Sequence, residues 1–274
     1  TRQPRMKTTM KIRINLLLAA LAGLAAAATT IAQTAAPAPA ASSGVSFTAT
    51  AAVVSEYMFR GQRLNGAGFQ PSIEMAAGDF TAGIWTNFVL DDKVPDSSDP
   101  EIDLYGAYTF TLAKDLTLVP GATAYFYPSA PTNAGYFRST FEPSLALNYT
   151  VQGVKLTPKL YYDTVLEGAT YEFTAAYAVP LKDIGSELGF TATLGTYLLK
   201  DVSNKTTPAV KAWGDYWLVG VTLPFQLDKN SKLSVGLAYT EGRDAFTKQG
   251  TAGRAHHSLA VGRGVVTVAY SRSF

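Results

Sequence analysis

The sequence predicts an all-β chain, a transmembrane antiparallel up-and-down β-barrel of about twelve strands. Three observations predict it. Apolar and polar residues alternate with period two through most of the chain. The alternating segments run about 10–14 residues, against about 5–6 in globular strands and about 9–11 for a tilted strand that crosses a bilayer. Connections switch between short turns and long polar loops, as in outer-membrane barrels.

The first strand is expected over residues 46–60, with Phe47, Ala49, Ala51, Val53, Tyr57 and Phe59 on one side. Ser46, Thr48, Thr50, Glu56 and Arg60 lie on the other. Strands at 68–77 and 80–91 follow, joined at Gly78-Asp79; in the second, Phe80, Ala82, Ile84, Phe88 and Leu90 oppose Thr81, Gly83 and Asn87. At 100–112, Ile102, Leu104, Tyr108 and Phe110 oppose Glu101, Asp103, Thr109 and Thr111. A turn at Ala113-Lys114-Asp115 leads to a strand at 115–128. The split is clearest at 136–150, where Phe137, Phe141, Leu145, Leu147 and Tyr149 face away from Arg138, Thr140, Glu142, Ser144 and Asn148. Beyond Gln152-Gly153, the strand 153–166 sets Val154, Leu156, Leu160 and Tyr162 against Lys155, Thr157, Lys159, Tyr161 and Asp163.

Strands at 169–181, 187–200, 212–225, 231–241 and 264–274 complete the set. Long loops are expected at 61–67, 91–100, 129–135, 201–210 and 242–262. An even count keeps both termini periplasmic. The stretch 255–262 offers a thirteenth strand, but the alternation slips at Gly262-Arg263-Gly264, as a bulge requires, so it reads as loop or as an extension of the last strand. In that last strand Val266 and Val268 face lipid, and Tyr270 and Phe274 sit in an aromatic girdle. A terminal Phe is also the signature that resembles bacterial outer-membrane barrels, and it implies the barrel assembly machinery as a partner during biogenesis.

Residues 1–32 read as a cleaved secretory signal: Lys7, Lys11 and Arg13 precede an apolar run from Ile14 to Ala28 and small residues near Ala32. Residues 33–45 read as a flexible lead-in, and 46–274 as the barrel. The net charge is +2, but the signal holds five positive residues and no negative ones, so its removal leaves −3. Nucleic acid is therefore not an implied partner. With no cysteine in the chain, disulfides and thiolate metal sites are excluded.

Two stretches carry a closer likeness. SEYMFRGQ (55–62) and GRGVVTVAYSRSF (262–274) resemble the two ends of the TorF family of porins, bacterial outer-membrane proteins also labelled Gcw and described as of unknown function. The internal AGIWTNF (82–88) is similar to that family's second hairpin. The resemblance implies a barrel with a pore role and names no substrate. The long final loop with its histidines departs from the family pattern.

The charges that share the inward phase suit a wet lumen, because a charge pointing to lipid at midplane costs about 2–4 kcal/mol. Positive candidates are Arg60, Arg138, Lys155 and Lys159; negative ones are Glu56, Glu74, Glu101, Asp103, Glu142, Asp163, Glu172 and Glu187. Two readings fit them: a weakly cation-favouring water path, or a plug of ion pairs filling a narrow barrel. The expected role is passive diffusion of small hydrophilic solutes or ions through the outer membrane, with a non-conducting structural or surface-contact barrel as the alternative. His256 and Ser258 match part of the His-x-Ser pair of lipid A deacylases, but no acid follows Ser258 to orient the histidine. The acidic loop from Asp91 to Asp103 lacks the spacing and glycine of an EF-hand and reads as solvated. Trp85, Trp213, Tyr216 and Trp217 read as girdle residues before sugar-stacking ones. No catalytic residue, cofactor or metal is expected; the partners are outer-membrane lipid and small hydrophilic solutes.

Overall fold

The structure is a computed structural model that describes residues 44–93, 97–132, 137–200, 211–244 and 262–274. The expected signal (1–32), all but the end of the lead-in, Asp96, His256 and Ser258 lie outside the described residues. The β-segments run β1 (Val45–Val54), β2 (Tyr57–Phe59), β3 (Gln62–Asn65), β4 (Gly68–Ala77), β5 (Phe80–Val89), β6 (Glu101–Tyr108), β7 (Phe110–Ala113) and β8 (Leu116–Phe126). They continue with β9 (Ser139–Val151), β10 (Val154–Asp163), β11 (Gly168–Leu181), β12 (Ser186–Lys200), β13 (Lys211–Gln226), β14 (Ser231–Asp244) and β15 (Arg263–Ser273). Among the described residues, no helix is long and apolar enough to cross a membrane.

Successive wall strands pair antiparallel, and β15 pairs with β1, so the sheet closes on itself. β6 and β7 are one wall strand interrupted at Thr109, whose N–H instead donates to Asp79 at 2.9 Å. The wall thus has the expected twelve strands. β15 has β14 on one side and β1 on the other; the candidate thirteenth strand at 255–262 lies, but for Gly262, outside the described residues.

Closure is well pinned. Phe274 N–H donates to the Phe47 carbonyl at 2.8 Å, and Thr48 and Thr50 hydrogen-bond Ser273 and Ser271 across the seam at 3.1 and 2.9 Å. In hydrocarbon an unpaired backbone group costs several kcal/mol, so the last strand stays in register to its end. Val266, Val268, Tyr270 and Phe274 face outward and are exposed, while Val265, Thr267 and Ala269 are buried on the inner face.

The first strand departs from expectation. It stops at Val54 rather than residue 60, and residues 57–65 fold back as the separate β2–β3 hairpin. Ser55 ends the wall: its N–H donates to the Val266 carbonyl and its Oγ accepts from the Val266 N–H, both at 2.9 Å. With the ladder completed by a side chain, the backbone is free to turn inward. Tyr57 and Phe59, expected to face lipid, therefore do not; Tyr57 is buried inside the barrel with Met58.

Because the outward face meets hydrocarbon, Val266→Lys should lower unfolding stability in lipid vesicles by about 2–4 kcal/mol, measured by denaturant titration. Thr50→Lys, on the inward face, should cost much less; equal costs would contradict the assigned phase.

Candidate functional site

The hairpin fills the outer half of the barrel interior. Its tip is a two-residue turn, Arg60-Gly61, with φ of 50° and 73°. Positive φ at both central residues defines the type I′ turn, whose twist matches a tight hairpin. The left-handed conformation costs a non-glycine residue roughly 1–2 kcal/mol, so something must hold Arg60 there.

What holds it is the opposite wall. The Arg60 guanidinium donates twice to the Glu142 carboxylate on β9, each at 2.8 Å, and once to Thr170 Oγ1 on β11 at 3.4 Å. Its plane also lies 4.7 Å from the Phe59 ring centre and 4.3 Å from that of Tyr161 on β10. Glu142 accepts a further bond from the Tyr125 hydroxyl at 3.1 Å. Arg60 is 6% exposed and Glu142 2%, so the pair is desolvated, and removing either partner would strand a buried charge at about 3–5 kcal/mol. Gly61 rests against Gly242 of β14: a Cβ on Gly61 would lie 2.5 Å from the Gly242 Cα. Only two glycines allow this backbone-to-backbone approach.

The hairpin base is tied to its neighbours. Arg63 bridges Glu56 at 2.6 Å and Asp92 at 2.7 Å. A buried chain of amides runs from Gln70 Nε2 to Asn87 Oδ1 (3.1 Å) and from Asn87 Nδ2 to Asn65 Oδ1 (2.9 Å). Val54, Tyr57, Met58, Trp85 and Val265 make an apolar cluster beneath, with Tyr57 and Trp85 rings 5.6 Å apart. On the far flank Gln62 donates to the Tyr197 hydroxyl at 2.7 Å. Tyr197 and Tyr216 lie across each other's strands: each covers the cross-strand glycine, Gly214 and Gly195 respectively, where a Cβ would overlap the ring.

The expected interior residues separate into distinct roles. Arg60 is inside but on the hairpin tip, and Glu56 belongs to the hairpin base rather than the wall. Glu142 anchors the hairpin. Glu172 on β11 accepts from Tyr216 at 2.6 Å and Tyr161 at 3.3 Å, and Lys159 sits 4.4 Å over the Tyr161 ring. Asp163 is a local brace: it accepts from Thr140 at 2.7 Å and from the N–H groups of Val165 and Leu166 at 2.8 and 2.7 Å. Glu101 and Asp103 are buried side by side on the inner face of β6, with Tyr57 and Tyr127 donating to Glu101. Glu74 accepts from Tyr105 at 3.1 Å. Lys155 is half-buried at the inner end of β10, whereas Arg138 is exposed just ahead of β9 and Glu187 is exposed near the opposite mouth.

The two halves differ in kind. Inward residues of the inner half, such as Thr48, Ser72, Thr117, Thr157 and Thr174, are small, hydroxylic and partly accessible. Those of the outer half, such as Asn65, Trp85, Tyr125, Tyr161, Tyr197 and Tyr216, are large and buried.

Trp85 and Tyr216 are not girdle residues; only Trp213 and Trp217 face outward, Trp217 beside Tyr239 at 5.3 Å. The acidic loop disperses: Asp92 pairs with Arg63, Asp99 accepts from the Val89 N–H at 3.2 Å, and Glu101 and Asp103 turn inward. Among the described residues no three His, Asp or Glu side chains converge as a metal site. The sequence reading missed Gln62, Arg63, Gln70, Tyr125 and Tyr197. For Tyr197 and Tyr216 a signal exists, Gly195-x-Tyr197 and Gly214-x-Tyr216, which puts a glycine and a ring on the same inward face of adjacent strands.

Release of the hairpin should be visible at Trp85, which is 2% exposed. In a Trp213→Phe/Trp217→Phe background it is the only tryptophan, and its emission should resist iodide quenching. Adding Gly242→Val, which blocks the seat of Gly61, should red-shift and quench that emission.

Residues 38–274 match a family described as a bacterial protein of unknown function, Gcw_chp. No protein of curated function matches the sequence. The structure is similar to the NanC porin, with a TM-score of 0.51 at 9% identity over 82% of this chain and 98% of that one. It is also similar to the KdgM porin (TM-score 0.46, 13% identity, 84% and 99% covered) and to LpxR from Salmonella typhimurium (TM-score 0.45, 9% identity, 82% and 99% covered). At 9% identity the likeness to the first of these is one of fold alone, a closed antiparallel β-barrel.

Proposed function

Since the chain belongs to the Gcw_chp family of unknown function, and that description assigns no activity, we propose a role from its own interior: an outer-membrane channel for small hydrophilic solutes or ions. The observation that carries this is the division of the lumen. The inner half is wide enough to leave small hydroxyl side chains accessible, and the outer half is filled by a hairpin rather than by the wall. A wall built to be solid needs no wet vestibule behind its plug. The hairpin is attached at one end through Ser55 and at the other through Gly66, whose N–H donates to the Asp92 carbonyl at 3.1 Å, so it governs what the barrel passes. No enzymatic role is proposed: the hydrolase reading rests on His256 and Ser258, outside the described residues.

The desolvated Arg60–Glu142 pair favours a second reading, in which the hairpin is a permanent stopper and the barrel only structural. Planar-bilayer recording separates the two. The native chain should give small current steps, and replacing residues 57–65 by a short Gly-Ser link should enlarge them several-fold. A shortened barrel that still shows heat-modifiable migration yet stays silent would overturn the channel reading and leave the structural one.

A further inference from the structure

Resting on that channel reading, we infer that the barrel passes cations in preference to anions, and that Arg60 sets the strength of the preference. The packed outer section holds Glu101 and Asp103 on β6, Glu142 on β9, Asp163 on β10 and Glu172 on β11. Among the described residues two cations meet these carboxylates, Arg60 from the hairpin and Lys159 from β10, while Arg63 sits at the hairpin base and Arg263, on the inward phase at the outer end of β15, donates to the Gly262 carbonyl at 3.0 Å.

Both cations are committed. Arg60 chelates Glu142, and Lys159 stands directly across from Glu172 in the β10–β11 register. Asp163 accepts one hydroxyl and two backbone N–H groups on its Oδ1, and Glu101 takes tyrosine hydroxyls. Neutral donors stabilise a carboxylate without cancelling its charge, and Glu101 and Asp103, buried side by side, count as one charge between them because like charges in a desolvated site do not both ionise. The hairpin base repeats the imbalance, with Glu56 and Asp92 against Arg63. By contrast the inner half carries Glu74 and Glu187 against Lys155 and Lys232, two of each sign, and Arg138 at the outer rim is exposed, where salt screens it. A narrow section with surplus carboxylates and low-dielectric walls focuses a negative potential, which raises local cation concentration.

Arg60 differs from Lys159 in belonging to the hairpin. If the tip withdraws, its charge withdraws too, Glu142 loses its partner, and the section becomes more negative. The open state is thus the more selective one.

The test is the reversal potential of the reconstituted barrel across a potassium chloride gradient. Potassium should be preferred over chloride by about threefold or more, the range expected of a carboxylate-lined constriction. Arg60→Gln should raise the ratio, and Glu101→Gln with Asp103→Asn should bring it toward unity. Glu172→Gln, which leaves the hairpin anchor intact, should lower it and serves if Arg60→Gln fails to give a heat-modifiable barrel. A conducting barrel that prefers chloride, shows no preference, or keeps its ratio in all of these variants overturns the inference and leaves the channel reading standing. A silent barrel overturns both.

Discussion

A backbone amide in hydrocarbon has no water to turn to, and this requirement organises the rest of the molecule. The wall meets it by closing β1 onto β15, with serine and threonine hydroxyls reinforcing the seam inside and Phe274 locked to Phe47 at its end. Closure dictates that side chains alternate between lipid and interior without slippage, since a shift of one residue would turn every valine inward and every threonine outward. It also fixes the girth, and a cylinder of fixed girth has a volume that must be either packed or wet.

Here both solutions are used, one above the other. Toward the termini many inward residues are threonine, serine, alanine and glycine, with Glu74, Tyr105 and Lys155 among them. Toward the long loops the space is taken by the β2–β3 hairpin and by tyrosines that lean over cross-strand glycines. The packed half is held by polar contacts as much as by apolar ones. A buried ion pair returns little net stability against a hydrophobic replacement, yet it is highly directional. Arg60 meets a carboxylate, a hydroxyl and two ring faces in one place, so the hairpin has one seat.

Much of this was legible in the residues. Alternation gave the wall strands, their phase and their even number because a lipid-facing side chain cannot be polar and its neighbour need not be apolar. The inward phase of Glu142 and Glu172 follows from the same rule. The hairpin did not follow, because β2 continues the alternation of β1: Tyr57 and Phe59 stay in phase with Val53, and nothing in the pattern reports that the chain has left the wall. The clue was local, an Arg-Gly pair fit for a type I′ turn. Partners such as Gln62 with Tyr197 or Gly61 with Gly242 lie far apart in sequence, and only closure brings them together.

That separation governs the order in which the molecule can assemble. Arg60 is 82 residues from Glu142 and 110 from Thr170, so its seat does not exist until β9 to β11 are in place. The hairpin is made early in the chain but must wait, and until it arrives Glu142 is a charge without its counterpart. The hairpin is therefore seated only after the strands that receive it have formed.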